Sequence, residues 1–114
     1  MVLCNVPEVH AQRIADAVVS ERLAACVNAL GPVRSTYEWK GAVERDTEVT
    51  LLLKTTAARV AALTARVRAL HPYELPEVIA LPVEAREGHA PYLDWVAAQV
   101  APTATLIPAK DDDP

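Results

Sequence analysis

The sequence predicts an α+β domain in which strands and helices alternate β-α-β-β-α-β, with one further helix at the C-terminal side. Three observations carry this reading. A short apolar run, Val2-Leu3-Cys4-Asn5-Val6, stands directly before a segment of helical spacing. Two long alternating segments then meet at Lys40-Gly41, a hairpin-turn signal. A second helical segment ends at His71-Pro72 and leads into another strand-like run.

Taken in order, Val2 to Val6 reads as a buried strand. Pro7 suits the first turn of a helix, where its missing N–H is not needed, and Glu8 complements the positive helix end. Ala11, Ile14, Ala15 and Val18 recur at helical spacing, so the first helix runs from Pro7 to about Arg22. From Ala25 to Trp39, the residues Ala25, Val27, Ala29, Val33, Tyr37 and Trp39 share one parity, with Ser35 the polar exception. Gly31-Pro32 interrupts them, which suggests a bulge or an edge position, because proline cannot donate to a ladder. Val43, Thr47, Val49, Leu51 and Leu53 form the apolar side of the next strand. Glu44, Asp46, Glu48 and Lys54 take the other side, the three acids reading as a solvated face. A three-residue loop, placing Trp39 opposite Val43, keeps the apolar face whole and is preferred to a two-residue loop that pairs Trp39 with Ala42.

Thr55 or Thr56 can cap the second helix, whose stripe is Val60, Leu63, Val67 and Leu70. Pro72 stops it, and Glu77 to Val83 reads as the fourth strand. After Gly88 a third helix runs through Tyr92, Leu93, Val96, Ala97 and Val100. The first six elements make the ferredoxin-like split βαβ unit. Right-handed crossovers then give the strand order 4-1-3-2. The second strand is therefore a long edge, and a partner that pairs with the hairpin would cover it.

The 114 residues fit one domain, residues 1–102, followed by an acidic tail, residues 103–114, expected to be flexible. Apolar residues make up 52% of the chain, the range of a packed core. The net charge of −4 owes much to Asp111-Asp112-Asp113, and no basic stripe exists for a nucleic-acid backbone to follow. No stretch approaches the ~18 apolar residues of a membrane helix. No signal peptide is visible, so a cytoplasmic location is expected. Cys4 and Cys26 are expected as reduced thiols. In the 4-1-3-2 order two strand spacings, about 9.6 Å, part them, too far for a disulfide. Enzyme readings fail on inventory. Three glycines make no phosphate-cradling loop, no zinc-spaced His or Cys pattern occurs, and Ser35 has no His near it in sequence.

Several motifs resemble one family in order and spacing over roughly residues 2–100. They are Cys4-x-x-Pro7, Leu23-Ala24-Ala25-Cys26-Val27-Asn28, Ser35-x-Tyr37-x-Trp39-x-Gly41, Glu44 and Glu48. Lys54-Thr55, His71-Pro72-Tyr73-Glu74-x-Pro76-Glu77 and Tyr92-Leu93-x-Trp95 continue the series. Together they resemble the CutA, or divalent-cation tolerance, family. The resemblance implies a homotrimer whose long hairpins pair between subunits, an architecture similar to the PII signalling proteins, and copper as a metal partner.

Two sets of candidate residues follow from the resemblance. Cys4 and His71, with Glu74 as an added oxygen donor, are the metal candidates. A thiolate is a soft ligand suited to Cu(I). In the family resembled, some copper-binding members carry two adjacent His before Pro-Tyr, and Leu70 stands in place of the first here. Against this, Cys4 also reads as a small buried hydrophobe, His71 as a helix-end residue and Glu74 as a surface acid. Tyr37, Trp39, Glu48, Lys54, Tyr73 and Glu77 match positions near an inter-subunit cleft that could take a small ligand. The alternative is that they only build the trimer. Two functions follow: a cation-tolerance protein that binds copper weakly, or a PII-like small-ligand sensor or trimeric scaffold.

Overall fold

The computed structural model describes residues 1–102. The elements are β1 (Val2–Val6), α1 (Glu8–Ser20), β2 (Cys26–Trp39), β3 (Ala42–Lys54), α2 (Val60–Leu70), β4 (Ile79–Ala80) and α3 (Ala90–Gln99). Single 3-10 turns at Ala57–Arg59 and Ala85–Glu87 lead toward α2 and α3. The sheet order is β2-β3-β1-β4, the expected order read from the other edge, so the domain is ferredoxin-like. The expected tail, residues 103–114, lies outside the described residues. Among the described residues, no helix is long and apolar enough to cross a membrane.

Strand alternation builds the core. Val2, Cys4 and Val6 of β1 stand opposite Leu53, Leu51 and Val49 of β3. All six are buried and share one cluster with Ile14 and Val18 of α1 and Leu63 and Val67 of α2. This is the helix-covered face of the sheet. Full burial of each Leu or Val contributes about 1.5–3 kcal/mol. Asn5 and Thr50, the pair between those rows, belong to the opposite, open face.

The hairpin corrects two expectations at once. Leu30 pairs with Thr50 but Val33 pairs with Glu48, so β2 carries one extra residue at Gly31-Pro32. Because side chains alternate with period two, one added residue turns the rest of the strand over. Val27 and Ala29 stand opposite the buried Leu53 and Leu51, whereas Val33, Ser35, Tyr37 and Trp39 share a face with Glu48, Asp46 and Glu44. The single sequence parity therefore spans both faces of the sheet. The loop has two residues, with Trp39 opposite Ala42 and not Val43. Lys40 and Gly41 both have positive φ, 53° and 85°, as a type I′ turn requires. The three-residue loop was needed only to keep the apolar face whole, and the bulge had already divided that face.

Smaller departures have local causes. Neither threonine caps α2 through its side chain: Thr56 precedes the 3-10 turn without such a bond, and the Thr55 hydroxyl donates to the Leu23 carbonyl at 2.8 Å. Pro7 precedes the helix, with its carbonyl accepting from the His10 amide. The fourth strand keeps only Ile79–Ala80 of Glu77 to Val83. The Leu81 amide still donates to the Met1 carbonyl, but Pro82 has no N–H to extend the ladder.

Candidate functional site

The bulge, the hairpin and the α2–β4 connection together build a cleft on the open face. After the bulge, Ser35 and Tyr37 of β2 lean over the acids of β3. The Ser35 hydroxyl donates to Glu48 Oε1 at 2.5 Å. The Tyr73 hydroxyl, from the connection after α2, donates to Glu48 Oε2 at 2.7 Å. Glu48 is only 5% exposed. It is thus a buried acid and not part of a solvated face, which corrects the expectation for the Glu44-Asp46-Glu48 run at that residue. Next to it the Tyr37 hydroxyl donates to Asp46, and this bond pushes the Tyr37 phenol up to about 12. Burial, and then the bond to Glu48, raise the Tyr73 phenol as well, so both hydroxyls stay protonated donors at neutral pH.

Asn5 ties this cluster to β1. Its side-chain N–H donates to Glu77 Oε1 at 3.1 Å, and its side-chain oxygen accepts from the Thr50 hydroxyl at 2.7 Å. Its backbone carbonyl accepts from His71 Nε2 at 2.8 Å. The Tyr73 amide donates to His71 Nδ1 at 3.1 Å, so the ring proton sits on Nε2 and both nitrogens are engaged. His71 is 7% exposed and its ring lies 4.7 Å from that of Tyr73. This histidine fastens the end of α2 to β1 and orients Tyr73 over Glu48. It is more than the helix-end charge considered from sequence.

The resulting cavity measures about 830 Å³. Tyr37, Trp39, Glu48, Tyr73, Glu74 and Glu77 all line it. Lys54 does not: it lies at the far end of β3, bonded to Asn28 and facing Cys26, where it lines a second, more apolar cavity beside α3. Asn5 and Ser35 were not foreseen as site residues. Their signals were present in the sequence, a polar residue inside an apolar strand and a polar exception within an alternating run.

The metal candidates converge only in part. The Cys4 thiol and His71 Nε2 approach the same atom, the Asn5 carbonyl oxygen, at 3.7 and 2.8 Å. Cys4 belongs to the core, and burial pushes its thiol up to about 12, with Glu77 and Glu48 adding to the shift. Glu74 lines the cleft on the open face, whereas Cys4 packs under the helices. Among the described residues, no group of three or more His, Cys, Asp or Glu is placed to hold a metal ion.

A ferredoxin-like sheet with an extended edge hairpin and a cleft on its open face defines a small α+β domain of ferredoxin-like class. Comparison with known proteins makes this specific. Residues 1–99 match the family described as CutA1 divalent ion tolerance protein. The human protein CutA is 52% identical over 101 residues, covering 86% of this chain and 55% of the human one. The divalent-cation tolerance protein CutA of Thermus thermophilus is 50% identical over 97 residues, 84% of this chain and 92% of that protein. The Thermus thermophilus structure superposes with a TM-score of 0.83 at 48% identity, over 88% of this chain and 96% of that one. A Nostoc structure described as a PII-like protein CutA in apo form gives 0.83 at 40% identity, over 88% and 95%. The chain belongs to the CutA family. It spans about half the length of the human, mouse, Xenopus and cattle relatives.

Proposed function

We propose that the protein is a cytosolic CutA-type homotrimer that serves divalent-cation tolerance by binding a small ligand in the Glu48 cleft, without catalysing a reaction. The observation that carries this reading is the buried Glu48 carboxylate, held by two hydroxyl donors at a ligand-sized cavity. Burying a carboxylate costs stability, so its position is better explained by binding than by packing. Cavities of several hundred Å³ with a few convergent polar groups are the usual small-ligand sites. The names of the relatives support a role in cation tolerance, and the PII-like character of the Nostoc relative supports ligand response. The 14-residue edge strand β2 supports assembly, because a long unpaired edge invites pairing with another chain. Two free cysteines fit a reducing compartment. The test is an NMR titration of the native protein with divalent metals and a set of small metabolites. Shifts centred on Ser35, Glu48 and Tyr73 are expected for at least one ligand. If no ligand moves these resonances, the cleft is only part of the architecture.

Weak copper binding at Cys4 and His71 is a second reading. It is favoured by the approach of both side chains to one carbonyl oxygen. Ligation would require the buried thiol to ionise and His71 Nε2 to leave that oxygen, so the affinity should be low. A Cu(I) competition titration of native protein, Cys4→Ser and His71→Ala decides it. Equal copper binding by all three rejects this pair as the ligand set.

A further inference from the structure

The two thiols of the chain are placed very differently. Cys4 is sealed in the core, whereas Cys26 is half-buried at the start of β2. Cys26 pairs directly with Lys54, the last residue of β3. The Cβ atoms of such opposed residues lie about 4.5–5.5 Å apart. The Lys54 ammonium donates to Cys26 Sγ at 4.0 Å and to the Asn28 side-chain oxygen, so two residues of the facing strand hold it. The backbone keeps this end of the hairpin closed. The Ala25 amide donates to the Lys54 carbonyl at 2.8 Å, and the Thr55 hydroxyl donates to the Leu23 carbonyl at 2.8 Å. All these groups belong to one chain, so no neighbouring subunit is needed to bring the sulfur and the nitrogen together. Reactive cysteines are partly exposed and stand beside a cation, whereas structural buried ones are inert.

We propose that Cys26 is a peroxide-sensitive thiol and that Lys54 captures its sulfenic acid, closing the base of the hairpin with a reversible sulfur–nitrogen link. The oxidant is hydrogen peroxide. In the first step the Cys26 sulfur attacks one peroxide oxygen, the O–O bond breaks, and the thiol proton leaves with the other oxygen as water. In the second, the Lys54 amine, having released one proton to solvent, attacks that sulfur. The S–N bond forms, the S–O bond breaks, and the departing hydroxide takes an amine proton to become water. One peroxide is thus reduced to two waters while the sulfur gives up two electrons. Two small-molecule thiols reverse the link, restoring thiol and amine and leaving as a disulfide. A sulfenic acid condenses with a nearby thiol or nitrogen. No second thiol is within reach, because Cys4 lies on β1, two strand spacings or about 9.6 Å from β2 across β3. The nitrogen that the fold sets against the sulfur is Lys54 Nζ.

The test is treatment of the native assembled protein with equimolar hydrogen peroxide, a catalase quench, and then intact-mass measurement and peptide mapping without reductant. The expected product has lost two hydrogens, joins the peptide that contains Cys26 to the one that contains Lys54, and returns to the starting mass with dithiothreitol. Lys54→Arg keeps the positive charge but removes the amine. In that variant the link should be lost, and dimedone should label Cys26 as the sulfenic acid. Cys26→Ser should give neither the link nor the label. A native Cys26 that stays unmodified, or that gains oxygen without linking, overturns the proposal. So does a disulfide from Cys26 to Cys4 or to Cys26 of the partner subunit, which has the same loss of hydrogen but a different peptide map. The same loss of hydrogen in Lys54→Arg as in the native protein overturns it as well.

Discussion

Cys4 and Glu48 illustrate how much a residue's meaning depends on which face of the sheet it takes. They lie on opposite faces, one in the core and one in the cleft. The Cys4 thiol, raised from 9.0 to about 12, is held neutral by burial. A group whose folded pKa lies above its unfolded one stabilises fully below the unfolded value, and that contribution is lost as pH rises toward the folded value. Stability should therefore decline from about pH 9 upward. The phenols of Tyr37 and Tyr73, shifted in the same direction, should add to the decline above pH 10. Denaturant midpoints measured between pH 8 and 11 should fall, and the fall should be shallower in Cys4→Val. An unchanged slope in that variant would place the titrating groups elsewhere. Alkylation should modify Cys4 only once the protein unfolds. The burial of Cys4 was readable from its apolar strand. The burial of Glu48 was not, because it depends on Tyr73, which is 25 residues further along the chain.

Elements with a strong period were the legible ones. The first strand, α1, α2 and α3 fall where apolar spacing placed them, because a packed face imposes that spacing on the chain. The strand order followed from connection rules alone. What could not be read was the effect of one bulge. Gly31-Pro32 was recognisable as an interruption, but an interruption does not reveal how many residues it adds. The close packing there predicts a difference between glycines. A Cβ on Gly31 would meet Val49 Cγ2 at 3.1 Å and Val49 Cα at 3.3 Å. A Cβ on Gly88 would meet chiefly the end of the Leu93 side chain, at 3.0 Å. Backbone yields less readily than a flexible side-chain tip. Gly31→Ala should cost about 1–3 kcal/mol, the usual range for overpacking, while Gly88→Ala stays within about 0.5 kcal/mol. Equal urea midpoints for the two variants would count against the tight approach at Gly31.

At the scale of the whole molecule, the described residues form an extended body of 61 × 31 × 21 Å. A hairpin of 14 and 13 residues accounts for much of that length, and most of its far half is exposed. Tyr37 and Trp39 sit there with 41% and 36% of their surface open, and Val43 with 59%. Sedimentation should report a homotrimer, about three times the 12.3 kDa chain. Trp39→Ala should weaken the assembly more than Trp95→Ala. Trp39 lies next to the hairpin turn, whereas Trp95 stacks on Tyr92 within α3 at 5.6 Å. Interface aromatics of this size can contribute about 2 kcal/mol or more to association. Equal dissociation of the two variants, or a native monomer at micromolar concentration, would remove the hairpin from the interface.

The bulge also sets rules for how such a chain can diverge. Within one run of odd-numbered residues of β2, Val27 and Ala29 face the helix-covered side, and Val33, Ser35, Tyr37 and Trp39 face the open side. Substitutions in the two halves are therefore subject to separate selection, although they share one strand. Length is a different matter. Deleting a single residue between Leu30 and Val33 would turn Ser35, Tyr37 and Trp39 toward the opposite face without removing any of those three side chains. Drift in residue type can be gradual here, whereas an insertion or deletion of one residue abolishes the cleft in a single step.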